Sequence, residues 1–245
     1  SIVSRERLAA FYAALSLVSN PEDFTEEVCL VIGLPVPLLM DKNLAEPVIA
    51  ALKMLKREHV FQVDGIEYRI NISKIQKMPQ PVGAYMNWYL DENLRTKADS
   101  KGKEAAIIDI GMNTFDEYVI RDSQVSDVHV GGREIGVRYL LESIRTNGHD
   151  ITELDADLRS GRLKPKESDL EEWVGVMMGE INRTLRSLKR YEVVIPVGGG
   201  VTVAGDLLKT RLISSGAHLA WSNEPITENV KGLWKLAEKN NKKKD

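Results

Sequence analysis

Two short apolar runs, Ala105 to Ile108 and Tyr118 to Ile120, constrain this chain most, because the stretch between them is polar and carries Asp109, Gly111, Thr114 and Asp116. Runs so short and so apolar are buried strands, and the polar residues between them form the turn of a hairpin. Gly111 lets the backbone take conformations that other residues resist, so successive N–H groups from Gly111 through Met112 and Asn113 to Thr114 can converge on an anion such as a phosphate. Asp109, at the strand end, would then face the metal that neutralises that anion. A second unit of this kind lies downstream, where the apolar Val193 to Val197 runs into Gly198, Gly199 and Gly200 and then into the helix-like Val201 to Lys209. Two strand-then-glycine units suggest a nucleotide held at both ends. Taken singly, the first is a tight turn and the second a loop where two elements pack closely.

Their combination says more. Asp109-x-Gly111-x-x-Thr114-x-Asp116, then an apolar strand and a triple glycine, with Pro79-Gln80 opening a helix upstream, resembles the actin-like ATPases. The likeness is greatest to the plasmid-segregation (ParM or StbA) and archaeal actin-like branch, and it runs from Ser4 to about Leu236. It implies an α/β, actin-like (ribonuclease-H-like) fold of two domains. Residues 1–103 would be the remainder of domain I, 104–224 domain II, and 225–245 a C-terminal helix returning to domain I. The family binds ATP or ADP with Mg²⁺ in its central cleft. By that resemblance Asp109 would hold the metal through water, and Gln80 would orient the attacking water. Gly111 to Thr114 and Asp116 would surround the phosphates, and Gly198 to Gly200 would bed the ribose and adenine. Glu180 stands where the family offers a polar residue to the ribose or adenine, and a plain surface carboxylate explains it equally well.

Length and composition fit this frame. With 245 residues, 43% apolar and 28% charged, the chain can bury a core as one large or two small domains. A net charge of −3 argues against a general affinity for nucleic acid or anionic membrane, although Lys242-Lys243-Lys244 is locally basic. A DNA partner would be reached through an adaptor protein. The one cysteine, Cys29, excludes an internal disulfide framework, and its apolar surroundings mark it as a buried, inert thiol. The longest apolar stretch, Val28 to Met40, is too short to span a bilayer and is broken by Gly33, Pro35 and Pro37. With no secretory signal in view, the cytoplasm is the expected compartment.

In chain order, Arg5 to Val18 spaces Leu8, Phe11, Tyr12 and Leu15 as an amphipathic helix. Val28 to Leu34 reads as a buried strand and Lys42 to Arg57 as a helix. His59 to Ile72 reads as a hairpin about Asp64-Gly65. Val82 to Leu90 is helical, and Asp91 to Glu104 is a charged, solvated connector between the two halves. Gln124 to Val130 is expected as a further strand of the Ile107 to Ile120 sheet, in a parallel-rich α/β arrangement. Gly131-Gly132 then leads into a helix from Glu134 to Arg145, either as a further phosphate-facing loop or for close packing. Asp150 to Leu163 reads as a small polar helical insertion, and Asp169 to Tyr191 as a long helix with a core stripe. Ala217 to Trp221 closes the sheet, and Ile226 to Glu238 is the last helix, where Asn229-x-x-Gly232 resembles the family's final helix start. His129 and His149 have no partner at metal-ligand spacing.

One departure stands out. Actin-like ATPases begin with an Asp-x-Gly hairpin and a lysine that grip the β- and γ-phosphates, and nothing ahead of Ser4 matches it. The first domain is therefore expected to lack its leading strands, as a fragment of a longer protein or as a degenerate relative. The absence of an initiator Met favours the fragment. Met112 and Phe115 also replace the small residue and the Thr usual in the hairpin, which would cramp the cradle. The leading expectation is a filament-forming ATPase of plasmid or DNA segregation or of a prokaryotic cytoskeleton, with self-association as its main partnership. The alternatives are a non-catalytic actin-like interaction module that has lost hydrolysis, or a small-molecule kinase of the same superfamily.

Overall fold

The computed structural model describes residues 4–22, 27–121, 124–126, 131–145 and 150–242. It divides into two compact units, the first ending at Gln80 and the second beginning at Pro81. This break falls well before position 103, where the sequence placed it.

The first unit runs α1 (Arg5–Ser16), β1 (Glu27–Leu34), α2 (Val36–Met40), α3 (Lys42–Met54), β2 (Glu58–Val63) and β3 (Ile66–Pro79). Asp41 caps α3, its carboxylate accepting from the amides of Asn43 and Leu44. The hairpin between β2 and β3 turns at Asp64 and Gly65, both at positive φ, as a two-residue turn matched to strand twist requires. The sheet order is β1-β3-β2, with β1 parallel and β2 antiparallel to β3. Leu15 of α1 packs with Ile70 and Ile72, and Leu34 packs with Leu52 and Leu55. The buried His59 is satisfied at both nitrogens, Nε2 donating to Leu55 O at 2.8 Å and Nδ1 accepting from the Tyr12 hydroxyl at 3.1 Å. Cys29, expected to be buried, is a free, half-buried thiol with the Gln76 amide 3.5 Å from its sulfur.

The second unit contains most of α4 (Gln80–Tyr89), then β4 (Glu104–Ile110), β5 (Phe115–Arg121), β6 (Gln124–Val125) and β7 (Gly131–Arg133). It continues with α5 (Val137–Ile144), α6 (Ile151–Arg159), α7 (Glu167–Thr184), β8 (Val193–Val197), α8 (Gly199–Ser214) and α9 (Glu228–Lys242). The sheet order is β6-β5-β4-β8, with β7 also on β5. Only β8 runs parallel to β4, so the sheets are mixed rather than parallel-rich. Alternation along the strands sends Ile108, Ile110, Phe115 and Val119 to one face. There they meet Leu140 and Leu141 of α5, Trp173, Met177 and Ile181 of α7, and Leu208 of α8.

Several elements differ from their sequence reading. The expected strand 124–130 is seen as β6, while 127–130, with His129, lies outside the described residues, as does His149. The long helix stops at Thr184, because Arg186 takes a positive φ of 62° and a short 3-10 turn, Leu188–Arg190, brings the chain into β8. Leu185 and Leu188 stay buried across that break. The last strand reduces to one bridge, Val194 to Leu219, since the chain then leaves the sheet edge and Pro225 O accepts the Gly198 amide at 3.0 Å. The connector after α4 is anchored rather than simply solvated. The buried Lys235 of α9 holds Leu90 O at 3.3 Å and Glu92 at 2.7 Å, and Ser100 is fully buried. No helix among the described residues is long and apolar enough to cross a membrane.

Candidate functional site

The turn between β4 and β5 is the Gly111 to Thr114 segment, closed by Gly111 N–H donating to Thr114 O at 2.8 Å. Its carbonyls face the start of α5. Val137 N donates to Gly111 O at 3.0 Å, Arg138 N to Met112 O at 2.7 Å, and Gly136 N to Asn113 O at 3.4 Å. No cis peptide is present among the described residues, and in a trans peptide the N–H points opposite to the preceding carbonyl. The amides of Met112, Asn113 and Thr114 are therefore turned away from α5. Successive amides on one side of a turn are the ingredients of an anion cradle, and the partly positive start of α5 lies behind them. Because α5's first amides are spent on the turn, this helix begins at Val137 rather than at Glu134.

Gly136 makes that contact possible. A Cβ there would stand 2.6 to 2.8 Å from the backbone of Gly111, Met112 and Asn113. The sequence reading passed over it, although a third glycine soon after Gly131-Gly132, at the mouth of a helix, was the available signal.

Asp109 is the penultimate residue of β4, beside this turn, and is only 8% exposed. It pairs in register with Asp116, so both carboxylates leave the sheet on one face, opposite the helical core. Asp116 takes hydrogen bonds from the side chains of Thr114 and Tyr118, and burial raises its pKa above the ordinary value. Burial, with Asp116 and Asp109 nearby, also raises that of Tyr118. Asp109 Oδ2 accepts from Asn229 Nδ2 at 3.0 Å.

The glycine loop closes the other side. Gly198 has φ of +93°, and a Cβ there would meet Ile110 O at 2.4 Å and Asp109 Oδ1 at 2.8 Å. A Cβ at Gly200 would collide with the Ile110 side chain. Close packing is thus one real task of these glycines, while a Cβ on Gly199 would meet open space. α8 starts at Gly199, two residues before the expected Val201, and sets its N-terminus beside the Asp109 carboxylate, where a helix favours negative charge.

A cavity of about 750 Å³ opens next to this arrangement, lined by Met112, Val137, Leu158, Gly199, Thr202 and Ile226 among others. Its volume lies in the range of small-ligand sites, and its walls are mostly apolar. The turn contributes Met112 and the glycine loop Gly199, so cradle and cavity are contiguous. α6 and the loop after it supply Leu158, Leu163 and Lys164. The sequence reading took that segment for a small polar helical insertion, with no part in the site.

Glu180 lies on α7 with its carboxylate committed to Arg183 at 2.5 Å and Arg133 at 3.2 Å, and Asn182 is exposed. Glu180 is not among the cavity-lining residues. Gln80 is the first residue of α4 and the last of the first unit. Among the described residues no group of three or more His, Cys, Asp or Glu could hold a metal, so a cation here would depend on ligands brought by an anion.

Comparison with known proteins bears on the fold. Residues 1–83 match the family model "Actin like proteins N terminal domain". No curated protein sequence matches the chain. Among solved structures, apo ParM of pSK41 superposes with a TM-score of 0.72 at 17% identity, covering 98% of this chain and 72% of that one. Ta0583, an archaeal actin homologue in complex with ADP, gives 0.69 at 20% identity, covering 97% and 79%. The Alp12 filament structure gives 0.68 at 19% identity, covering 95% and 74%. The chain thus has the actin-like fold, and its first 83 residues match the N-terminal domain of actin-like proteins.

Proposed function

We propose that the second unit binds an adenine nucleotide, ATP or ADP, and that the intact protein couples ATP hydrolysis to filament assembly. The observation that carries this is the turn whose carbonyls are spent on α5, so that the amides of Met112, Asn113 and Thr114 face the other way beside the Asp109 carboxylate. The phosphates would lie against those amides, with Asp116 bracing the turn through Thr114. The base would enter the cavity between Met112 and Gly199, with Gly198 to Gly200 beside the ribose. Glu180, held by two arginines, would act at the edge of that site or only as a surface carboxylate. The ADP in Ta0583 and the filament of Alp12 support the nucleotide and the self-association.

Mg²⁺ fits this arrangement as an ion carried in by the phosphates and held through water by Asp109, where it would neutralise developing charge. This chain's own part is positioning: the turn fixes the phosphates, and Gln80 would place the attacking water. The reading extends to a cytoplasmic task in plasmid or DNA segregation, or in a prokaryotic cytoskeleton, with an adaptor protein between filament and DNA.

The test is phosphate release beside light scattering in the intact protein. Asp109→Ala should lower both ATP affinity and turnover. Gln80→Ala should spare binding and cut turnover by roughly tens- to hundreds-fold, leaving filaments that assemble but persist. If neither variant differs from the parent, a non-catalytic actin-like interaction module replaces the ATPase.

A further inference from the structure

The amide side chain of Asn229 is used at both ends. Its Nδ2 donates to Asp109 Oδ2 at 3.0 Å, and its Oδ1 accepts from the backbone amide of Ala84, inside α4, at 3.1 Å. The chemistry fixes this orientation: a backbone N–H can only donate, so the Ala84 amide must meet Oδ1, which leaves Nδ2 facing Asp109. Asp109 Oδ1, meanwhile, lies where a Cβ on Gly198 would come within 2.8 Å of it. The carboxylate is therefore bonded to Asn229 at one oxygen and has the glycine loop close beside the other.

The backbone around Asn229 leaves it little room to move. α4 and α9 cross glycine on glycine. A Cβ on Gly83 would stand 2.1 Å from Asn229 O and 2.9 Å from Asn229 Cα, and one on Gly232 would stand 1.7 Å from Gly83 O. Glu228, the neighbouring residue, accepts from Asn87 of α4 at 2.7 Å and from Ser222 at 2.7 Å. α9 is thus packed backbone to backbone on α4, and a slide of one helix along the other displaces Asn229.

From this geometry we infer that Asn229 is a positioning residue for Asp109, transmitting the relative position of α4 and α9 to the carboxylate beside the phosphate-facing turn. Asn229 touches neither nucleotide nor metal and acts only through Asp109. A neutral amide suits the task, because it steadies the carboxylate by donation without neutralising it as a lysine would. The chemical role given to Asp109 rests on the nucleotide reading above, while the positional link stands on the helix crossing alone.

Two measurements on the intact protein separate these layers. The first is nuclear magnetic resonance of the Asn229 side-chain NH₂ group without nucleotide. Asp109→Ala should move its signals and speed their exchange with water, because the only carboxylate receiving that donor is gone. Unchanged signals would overturn the positional link regardless of any nucleotide result. The second is ATP affinity with and without Mg²⁺ in Asn229→Asp and Asn229→Ala. Asn229→Asp keeps an oxygen for the Ala84 amide, but it replaces the donor to Asp109 with a second acceptor and so turns an attraction on that carboxylate into a repulsion. It should lose about tenfold or more of the affinity gained on adding Mg²⁺, because the repelled Asp109 carboxylate leaves its place. Asn229→Ala should lose that gain and also melt earlier. An Asn229→Asp protein with the parent's full Mg²⁺ gain would show that Asn229 merely fastens α9 to α4, and would end the proposal. A parent with no Mg²⁺-dependent gain would instead end the nucleotide reading, and the resonance signals alone would decide the link.

Discussion

Glu117 is a buried carboxyl near the site whose ionisation responds to pH close to neutrality. It leaves β5 on the face opposite Asp116 and is 1% exposed. One oxygen takes a hydrogen bond from Thr184, while Oε1 is buried without a partner. Burial, above all, pushes its pKa from 4.5 up to about 7, with Glu180 adding to the rise and Arg183 and Arg133 opposing it. A folded-state value above the unfolded one means the fold prefers the protonated acid. Its contribution is therefore complete below about 4.5, falls as pH rises, and is lost above about 7. Glu117→Gln, which keeps the shape without the charge, should flatten the stability profile between those limits and raise stability at pH 8 by up to about 3 kcal/mol. Chemical denaturation across pH checks this, and a parent profile unchanged by the substitution would contradict it.

At the scale of elements, two helix starts shape the site by close approach rather than by side-chain chemistry. Gly136→Ala would drive a methyl group into the backbone of the turn at 2.6 to 2.8 Å, with no flexible side chain there to yield. It should cost about 1–3 kcal/mol and misplace the amides of Met112 to Thr114, so nucleotide should no longer raise the melting temperature. Gly83→Ala strikes the α4–α9 crossing in the same way, against the Asn229 carbonyl. It should detach α9 and, with it, the grip on Asp109. Hydrogen exchange of the α9 amides would show that loosening, and native-like protection in the variant would refute it.

At the scale of the whole molecule, each unit has its own hydrophobic core, around Ile70, Ile72 and Leu52 in the first and around the β4-β5-β8 sheet in the second. The turn, Asp109, the glycine loop and the cavity all belong to the second unit. Calorimetry should accordingly resolve two unfolding transitions. Mg²⁺ and ATP should raise one of them, and it should be the same transition that Glu117→Gln raises. Nucleotide moving the other transition, the one Glu117→Gln leaves in place, would contradict this assignment.

Local pattern alone determined most of the elements here, because period and turn chemistry are properties of neighbouring residues. The apolar runs flanking Asp109, the Asp64-Gly65 hairpin and the strand before Gly198 all lie where their residues demand. The motif about Asp109 and Gly111 likewise pointed to an actin-like fold before any coordinates. Tertiary structure decided what depends on partners distant in the chain. Helix α7 ends at Thr184, although its apolar stripe continues, because the chain must turn into β8. α5 starts late because its first amides belong to a turn some 25 residues earlier in the sequence. The hold of Asn229 on Asp109 spans 120 positions, and the Gly83–Gly232 crossing that aligns it involves two glycines of no local consequence. No periodicity can encode such contacts, since each exists only once two separately formed helices have packed.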